Sequence, residues 1–272
     1  MNPSEAEPKA HKLGNLLAGT TILDETRTRW DNIVESYLSH KRSGHHPTDL
    51  MEWLVMEKIL LELTDGKMIG KRVVDVGTGT AYVVNKFKSN KNLDDFESMM
   101  AFDLSGGMLR EATSQIQDDR VMFYQADAAE LTVQKGSIDL AVSVNVLDCV
   151  ADLPRALANI YAALKSGGEF IFSIRHPERD ALYATGDKNG DFEEGPYEES
   201  WPGTDGKTVI RFYRKIGTWI QLLETAGFNI KEMKKPDPSP ELKNIDLQMY
   251  QEYLDRPGAL VFRVRKNGRK AA

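Results

Sequence analysis

The sequence predicts an α/β fold, a mostly parallel sheet with helices on both faces, on three observations. From Arg72 to Pro177, short strand-type runs alternate with helix-type segments five times, and repeated strand–helix steps produce parallel strands joined by crossovers. The first run, "RVVDVG", ends in the turn Gly77-Thr78-Gly79 and opens directly into a helix-type segment. The chain has 272 residues, 41% apolar and 28% charged, which is globular composition with enough apolar side chains for a sizeable core.

The elements follow in order. Residues 1–22 are small and polar without a clear period and read as a flexible arm, the candidate for self-association into a homo-oligomer. In "RTRWDNIVESYLSH", Trp30, Ile33, Val34, Tyr37 and Leu38 recur at helical spacing, an amphipathic helix. After the loop "KRSGHHPTD" comes a second helix, "DLMEWLVMEKILLEL". Residues 23–66 therefore read as an N-terminal helical cap, and 67–272 as the main domain. Within that domain "RVVDVG", "SMMAFDL", "VMFYQAD", "SIDLAVSVNVL" and "GGEFIFSIRHP" read as strands. "AYVVNKFKSN", "GGMLREATSQIQ" and "LPRALANIYAAL" read as the helices between them, the last with Pro154 in its first turn, where a missing N–H costs little.

After His176 the alternation stops. Residues 178–207 carry nine acidic and three basic residues. A long irregular segment inside a compact chain is usually a binding loop or lid. Residues 178–212 are thus expected to form a substrate lid, with Tyr183, Phe192, Tyr197, Trp201 and Tyr213 in or beside it. The helix "RKIGTWIQLLETAG", the strand "FNIKEMKKP", a linker from Asp237 to Gly258 and the strand "ALVFRVRK" complete the chain.

Composition excludes several functions. A net charge of −6 argues against a general nucleic-acid binder, which needs a basic face to neutralise phosphates. No stretch approaches the ~20 apolar residues of a membrane span. The single cysteine, Cys149, permits no intrachain disulfide. The expectation is a soluble cytoplasmic protein with no nucleic-acid or membrane partner. His40, His45 and His46 match no zinc spacing and have no cysteine or carboxylate cluster beside them, so no metal is expected.

The glycine turn is the chemical centre of the sequence. A strand that ends in Gly-x-Gly and opens a helix brings backbone N–H groups and a helix N-terminus to one point. The dinucleotide form needs a third glycine, and that position is Tyr82. A phosphate loop ending in Gly-Lys-Ser/Thr is absent. Asp75, two residues before Gly77, would repel a phosphate and attract a cation.

"VVDVGTGTA" resembles the first motif of class I S-adenosylmethionine-dependent methyltransferases, acidic-x-Gly-x-Gly-x-small, with Ala81 where a glycine is often found last. Further features follow in the family's order. Asp103 ends the second strand in "AFDLSGGML", Asp127 follows the third in "FYQADAAEL", and "IDLAVSVNVLDCV" and "IYAALKSGGEFIFSIRHP" match the segments that come next. The resemblance is close from Val73 to Pro177 and looser through "LLETAGFNI" and "ALVFRVRK". It implies a Rossmann-like, seven-stranded, mostly parallel sheet with an N-terminal helical cap and a lid inserted after the fifth strand. It also implies S-adenosylmethionine as cofactor and a small-molecule methyl acceptor on O, N or C, with natural-product biosynthesis a candidate setting.

The same resemblance suggests the site. Gly77 and Gly79 would let the cofactor approach the backbone, and Asp75 would face its methionine end, unless it caps the helix or pairs with Lys71. Asp103 would accept the ribose hydroxyls, unless it caps the helix near Gly106. Asp127 and Ala128 would meet the adenine, which Leu104 and Met108 would sandwich. Asn145 ends the fourth strand beneath the methionine, and Tyr37 would close over the cofactor from the N-terminal helix. Asp148 could orient an amine substrate or cap the helix near Asp152. His176, at the edge of the fifth strand, is the candidate general base, since an imidazole titrates near neutrality; its alternative is to hold the loop by hydrogen bonds. Competing functions are an RNA or protein methyltransferase, which the acidic charge and the lack of an Asn-Pro-Pro-Tyr segment disfavour, a non-catalytic cofactor-binding regulator, and a nicotinamide oxidoreductase, which Asp75 and Tyr82 disfavour.

Overall fold

The computed structural model describes residues 21–42, 47–65, 67–185, 193–201, 204 and 206–267. Helix α1 (Ile22–Asn32) starts where Thr21 accepts a hydrogen bond from the Asp24 N–H, and α2 (Val34–Arg42) follows. The single helix expected over this stretch is thus two, broken at Ile33, where φ is −105° and ψ is 1°. A π-helical turn, Thr48–Glu52, leads into α3 (Trp53–Leu63). The alternating core is β1 (Arg72–Val76), α4 (Tyr82–Ser89), β2 (Ser98–Asp103), α5 (Gly106–Gln115), β3 (Val121–Gln125), β4 (Ile138–Val144), α6 (Leu153–Ala163) and β5 (Leu164–Arg175). Then come α7 (Pro177–Thr185), β6 (Gly195–Ser200), β7 (Thr208–Tyr213), α8 (Ile216–Thr225), β8 (Phe228–Lys234), α9 (Pro240–Ile245), α10 (Leu247–Asp255) and β9 (Ala259–Lys266).

Seven strands form one sheet in the order β3-β2-β1-β4-β5-β9-β8. β1 to β5 run parallel, and β9 is antiparallel to both neighbours. The parallel strands are near-continuous apolar runs because both faces are covered. Neighbours on a strand serve opposite faces: Val74 packs with Leu157, Phe170, Phe172 and Trp219, and Val73 with Trp53, Phe87, Val142 and Ile171. Strand order reverses between β1 and β4, which places a crevice outside their carboxyl ends.

β6 and β7 pair as a separate antiparallel hairpin, which sits between β5 and α8 in the chain. The stretch expected to be a linker instead forms α9 and α10. Ser239 and Asp246 cap them by accepting from the Leu242 and Met249 N–H groups, and Leu242 and Met249 pack against Leu50 and Met51. No helix among the described residues is long and apolar enough to cross a membrane. The N-terminal arm proposed for self-association, and His45 and His46, lie outside the described residues.

Candidate functional site

A cavity of about 320 Å³ lies at the carboxyl ends of β1, β2, β4 and β5. Its floor is the glycine turn. The Gly77 and Thr78 N–H groups both donate to the Phe102 carbonyl, at 2.7 and 2.8 Å, which folds the turn back over β2. Gly77 has φ +78°, and a Cβ there would lie 2.2 Å from Val146 Cγ2, so both conformation and space demand glycine. Gly79 has φ +55° and only the Tyr37 hydroxyl near its Cβ position, at 3.8 Å. Ala81 occupies the left-handed region at φ +67°, the conformation that the family's last glycine would adopt freely.

Asp103 stands at the end of β2 and receives the Gly79 N–H at 2.7 Å and the Ser105 N–H at 2.8 Å, one on each carboxylate oxygen. Burial pushes its pKa up to about 6 despite these bonds. The cap of α5 is Ser105, whose hydroxyl accepts from the Met108 N–H, so Asp103 does not serve as that cap. Asp127 accepts from the Ala129 N–H at 3.1 Å. Asn145 adopts φ +56° and donates from Nδ2 to Glu52 at 2.7 Å. With Leu104, Met108, Ala128, Gly77, Gly79 and Tyr37, these residues line one cavity.

Asp75 does not line the cavity. It is fully buried one residue before the lining begins, and neither carboxylate oxygen has a hydrogen-bond partner. Burial pushes its pKa up to about 7. Thr78 opposes the rise in part, although its hydroxyl does not meet hydrogen-bond geometry, and the charge on Asp103 adds to it. An unpaired buried carboxylate is costly, and a cation bound over the turn would relieve that cost. Lys71 makes no bond to it.

The roof comes from the N-terminal cap and the hairpin. Trp30 and Tyr37 pack against Trp201 with ring centroids 5.5 and 5.8 Å apart. Burial and the nearby Asp103, Asp49 and Asp75 raise the Tyr37 phenol, so its hydroxyl stays protonated. α1 ties the roof to the floor: Asp31 receives the Ser105 hydroxyl at 2.6 Å and the Gly107 N–H at 2.8 Å, and Arg29 donates to Glu198 at 3.0 Å. Of the aromatics expected to shape a lid, Trp201 lines the cavity, whereas Tyr197 and Tyr213 are buried behind it. Phe192 and the Tyr183 side chain lie outside the described residues.

His176 is not brought to the cavity. It is buried, burial lowers its pKa, and its Nδ1 accepts the Glu178 N–H at 3.3 Å at the start of α7. Such a hydrogen bond is what the loop-holding alternative for His176 expects, at the junction between the end of β5 at Arg175 and the start of α7 at Pro177. Asp148 does not take the helix-cap role that was one of its two readings. Asp152 caps α6, and Asp148 instead accepts from Arg211 Nη1 at 2.5 Å.

The sequence reading missed the polar wall beyond the glycine turn, which comprises Glu52, Arg175, Arg179, Glu199 and Arg211. Glu52, on the π-helical turn, is also held by the Ser173 hydroxyl at 3.0 Å. Glu199 receives Arg175 Nη2 at 2.7 Å and Arg211 Nε at 2.5 Å. Burial raises its pKa, but the two guanidiniums outweigh burial and hold it below the usual range. The nearby Cys149 thiol is pushed up to about 12 by burial and is no nucleophile. The available signal was a charged residue within an apolar strand, Arg175 in "FIFSIR" and Arg211 in "TVIRFY". Among the described residues no group of three or more His, Cys, Asp or Glu could hold a metal ion.

Residues 74–172 match the family described as "Methyltransferase domain". An S-adenosylmethionine-dependent methyltransferase from Mesorhizobium loti superposes with TM-score 0.62 at 27% identity, over 74% of this chain and 93% of that one. A Listeria monocytogenes protein assigned to the same class gives TM-score 0.65 at 26% identity, over 79% and 96%. The highly reducing polyketide synthase bet1 of Neocamarosporium betae is 25% identical over 224 residues, which are 80% of this chain and 7% of that synthase. The chain spans less than a tenth of the length of the curated polyketide synthases it matches.

Proposed function

Because the chain belongs to the class I S-adenosylmethionine-dependent methyltransferases, we propose that it transfers a methyl group to a small organic acceptor held in the cavity. The observation that carries this is continuity: one cavity of about 320 Å³ holds the Gly77–Asp103 cradle and the polar wall of Glu52 and Arg211. Such a space suits a cofactor end and a compact acceptor, and it favours that reading over an RNA or protein substrate.

The residues present fit the cofactor, on the evidence of a turn that admits no Cβ at Gly77 and a buried, unpartnered Asp75. Asp103 would accept the ribose hydroxyls and Asp127 the adenine amino group, with Leu104 and Met108 against the ring. Gly77, Gly79 and Asn145 would hold the methionine end, Ala128 the adenine edge, and Tyr37 would close over them. Asp75 would act through its field from behind the turn. When bound, S-adenosylmethionine supplies an electrophilic methyl on a sulfonium. The chain's part is chiefly alignment, since a good leaving group leaves little chemistry beyond orientation. Where the acceptor atom carries a proton, Glu52 is a buried cavity carboxylate placed to accept it, oriented by Asn145 and Ser173, whereas Glu199 is paired with two arginines. Cys149 and His176 take no part.

The likeness to polyketide synthases makes a biosynthetic intermediate, in a cytoplasmic setting, the favoured acceptor. Calorimetric titration tests the cofactor: heat with S-adenosylmethionine and none with NADH is expected, and the reverse would overturn the proposal. A metabolite screen with labelled cofactor identifies the acceptor atom, and no labelled product from any small metabolite would return the chain to a binding role.

A further inference from the structure

The roof of the cavity is lightly built. Of the residues of α1 only Thr26 is buried. Ile33, Met108 and Val209, with Trp30, Tyr37 and Trp201 against them, form a small apolar cluster distinct from the two that cover the faces of the sheet. Elements with few buried apolar contacts open most readily. Trp30, Tyr37 and Trp201 line the cavity from the roof, and Gly77, Gly79 and Asp103 line it from the floor. A ligand between them touches both and favours the docked roof.

Asp31 joins this roof to the floor at the cradle itself. One of its oxygens, Oδ1, receives both the Ser105 hydroxyl at 2.6 Å and the Gly107 N–H at 2.8 Å. Ser105 is fully buried and gives its own N–H to Asp103 at 2.8 Å, while the other Asp103 oxygen receives Gly79. The approach is close: a Cβ on Gly107 would stand 3.0 Å from that Asp31 oxygen and 2.9 Å from Val34 Cγ2. Two residues earlier on α1, Arg29 donates to Glu198 at 3.0 Å and to the Thr208 hydroxyl, and Lys207 Nζ donates to the Asn32 carbonyl at 2.8 Å. The next residue on β6, Glu199, holds Arg175 and Arg211 in the polar wall. A short polar chain thus runs from the Asp103 carboxylate through Ser105, Asp31 and Arg29 to the hairpin. Neither Asp31 nor Arg29 itself lines the cavity.

We propose that Asp31 is a positioning residue that couples the cofactor end of the cavity to the acceptor end: filling the Asp103 cradle fastens α1, and α1 fastens the hairpin that carries Glu199 and Arg211. The proposal rests on the reading of the Asp103 cradle as the cofactor site. It makes the polar wall complete only in the cofactor-bound chain, so the acceptor meets a finished site after the methyl donor is in place. Coupling of this kind is reciprocal, and loosening the roof weakens cofactor binding by the same factor by which the cofactor tightens the roof.

The test is amide hydrogen exchange of the full chain with and without saturating S-adenosylhomocysteine, read by mass spectrometry, together with calorimetric titration of the same ligand. In the wild type the ligand should slow exchange by about tenfold or more in α1, β6 and β7 as well as in the glycine turn. Asp31→Ala should keep the slowing at the glycine turn, lose it in β6 and β7, and weaken S-adenosylhomocysteine about fivefold or more. Asp31→Asn retains an oxygen that accepts the same two hydrogen bonds and should keep the slowing in the hairpin. Arg29→Ala should also lose it there, and the double variant should bind no more weakly than the weaker single variant, since both cut one chain. A hairpin whose exchange the ligand leaves unchanged in the wild type, slowing that survives Asp31→Ala, or additive losses in the double variant would each overturn the proposal. The wild-type comparison and Arg29→Ala stand even if Asp31→Ala fails to fold. Failure of the wild type to bind S-adenosylhomocysteine would instead refute the cofactor reading on which the proposal rests.

Discussion

Asp75→Asn isolates the buried carboxylate behind the glycine turn. Asp75 is fully buried without a hydrogen-bond partner, and burial pushes its pKa from an ordinary 3.8 to about 7. A carboxyl whose folded pKa is raised supports the fold most at low pH, and that support is lost as pH rises through the folded value. Between pH 5 and pH 8 the folded chain must release a proton that the unfolded chain has already lost, which costs about 2–3 kcal/mol at ~1.4 kcal/mol per tenfold change. Asparagine has nearly the same shape and no charge. The stability of Asp75→Asn relative to the wild type should therefore widen by about 2–3 kcal/mol over that range, or roughly 4–12 °C in Tm. Asp103 titrates in both proteins, and its contribution largely cancels in the difference. Scanning calorimetry of the ligand-free proteins at the two pH values measures the gap, and titration with S-adenosylmethionine measures the cost to binding. A gap that stays constant or narrows would show that Asp75 is neither unpaired nor uncompensated, and the argument for a cation over the turn would fall with it.

Three further outcomes are expected. Asp103→Ala should weaken S-adenosylmethionine binding by roughly 1.5–3 kcal/mol for each charged hydrogen bond lost; unchanged affinity by calorimetry would remove Asp103 from the ribose site. Gly77→Ala should destabilise the fold by about 2–5 kcal/mol, from the left-handed backbone and the overlap with Val146; a urea midpoint equal to the wild type would mean that the turn relaxes freely. Asp31→Ala removes the acceptor that joins α1 to the start of α5 and should cost about 0.5–2 kcal/mol. Faster amide exchange in α1 is the accompanying sign, and unaltered exchange would mean that α1 is held by Arg29 and its aromatic packing alone.

The alternating core was legible because its signals are local. Apolar runs such as "KRVVDV" carry strand length and burial together, and Gly77 and Gly79 mark a turn wherever they occur after such a run. Asp103 and Asp127 stand out in the sequence because the one ends β2 and the other lies two residues beyond β3, and strand ends converge on one crevice. The break at Ile33 was not legible, since Trp30 to Leu38 keep helical spacing across it. The helices α9 and α10 were hidden by the prolines and acidic residues of their caps, which resemble a linker until Leu242 and Met249 are seen against Leu50 and Met51.

By itself the sequence determined the sheet, the turn and the chemical kind of ligand that the turn suits, because each depends on residues within a few positions of one another. Only the tertiary structure decided which side chains meet in the cavity beyond the turn. His176, eligible by type and position, is turned inward to the start of α7. Arg211, in an unremarked apolar strand, meets Asp148 across 63 residues of chain. The reason is physical: burial and charge pairing are properties of space, and a side chain's partners across the fold are set by how the hairpin docks, which no short stretch of sequence records.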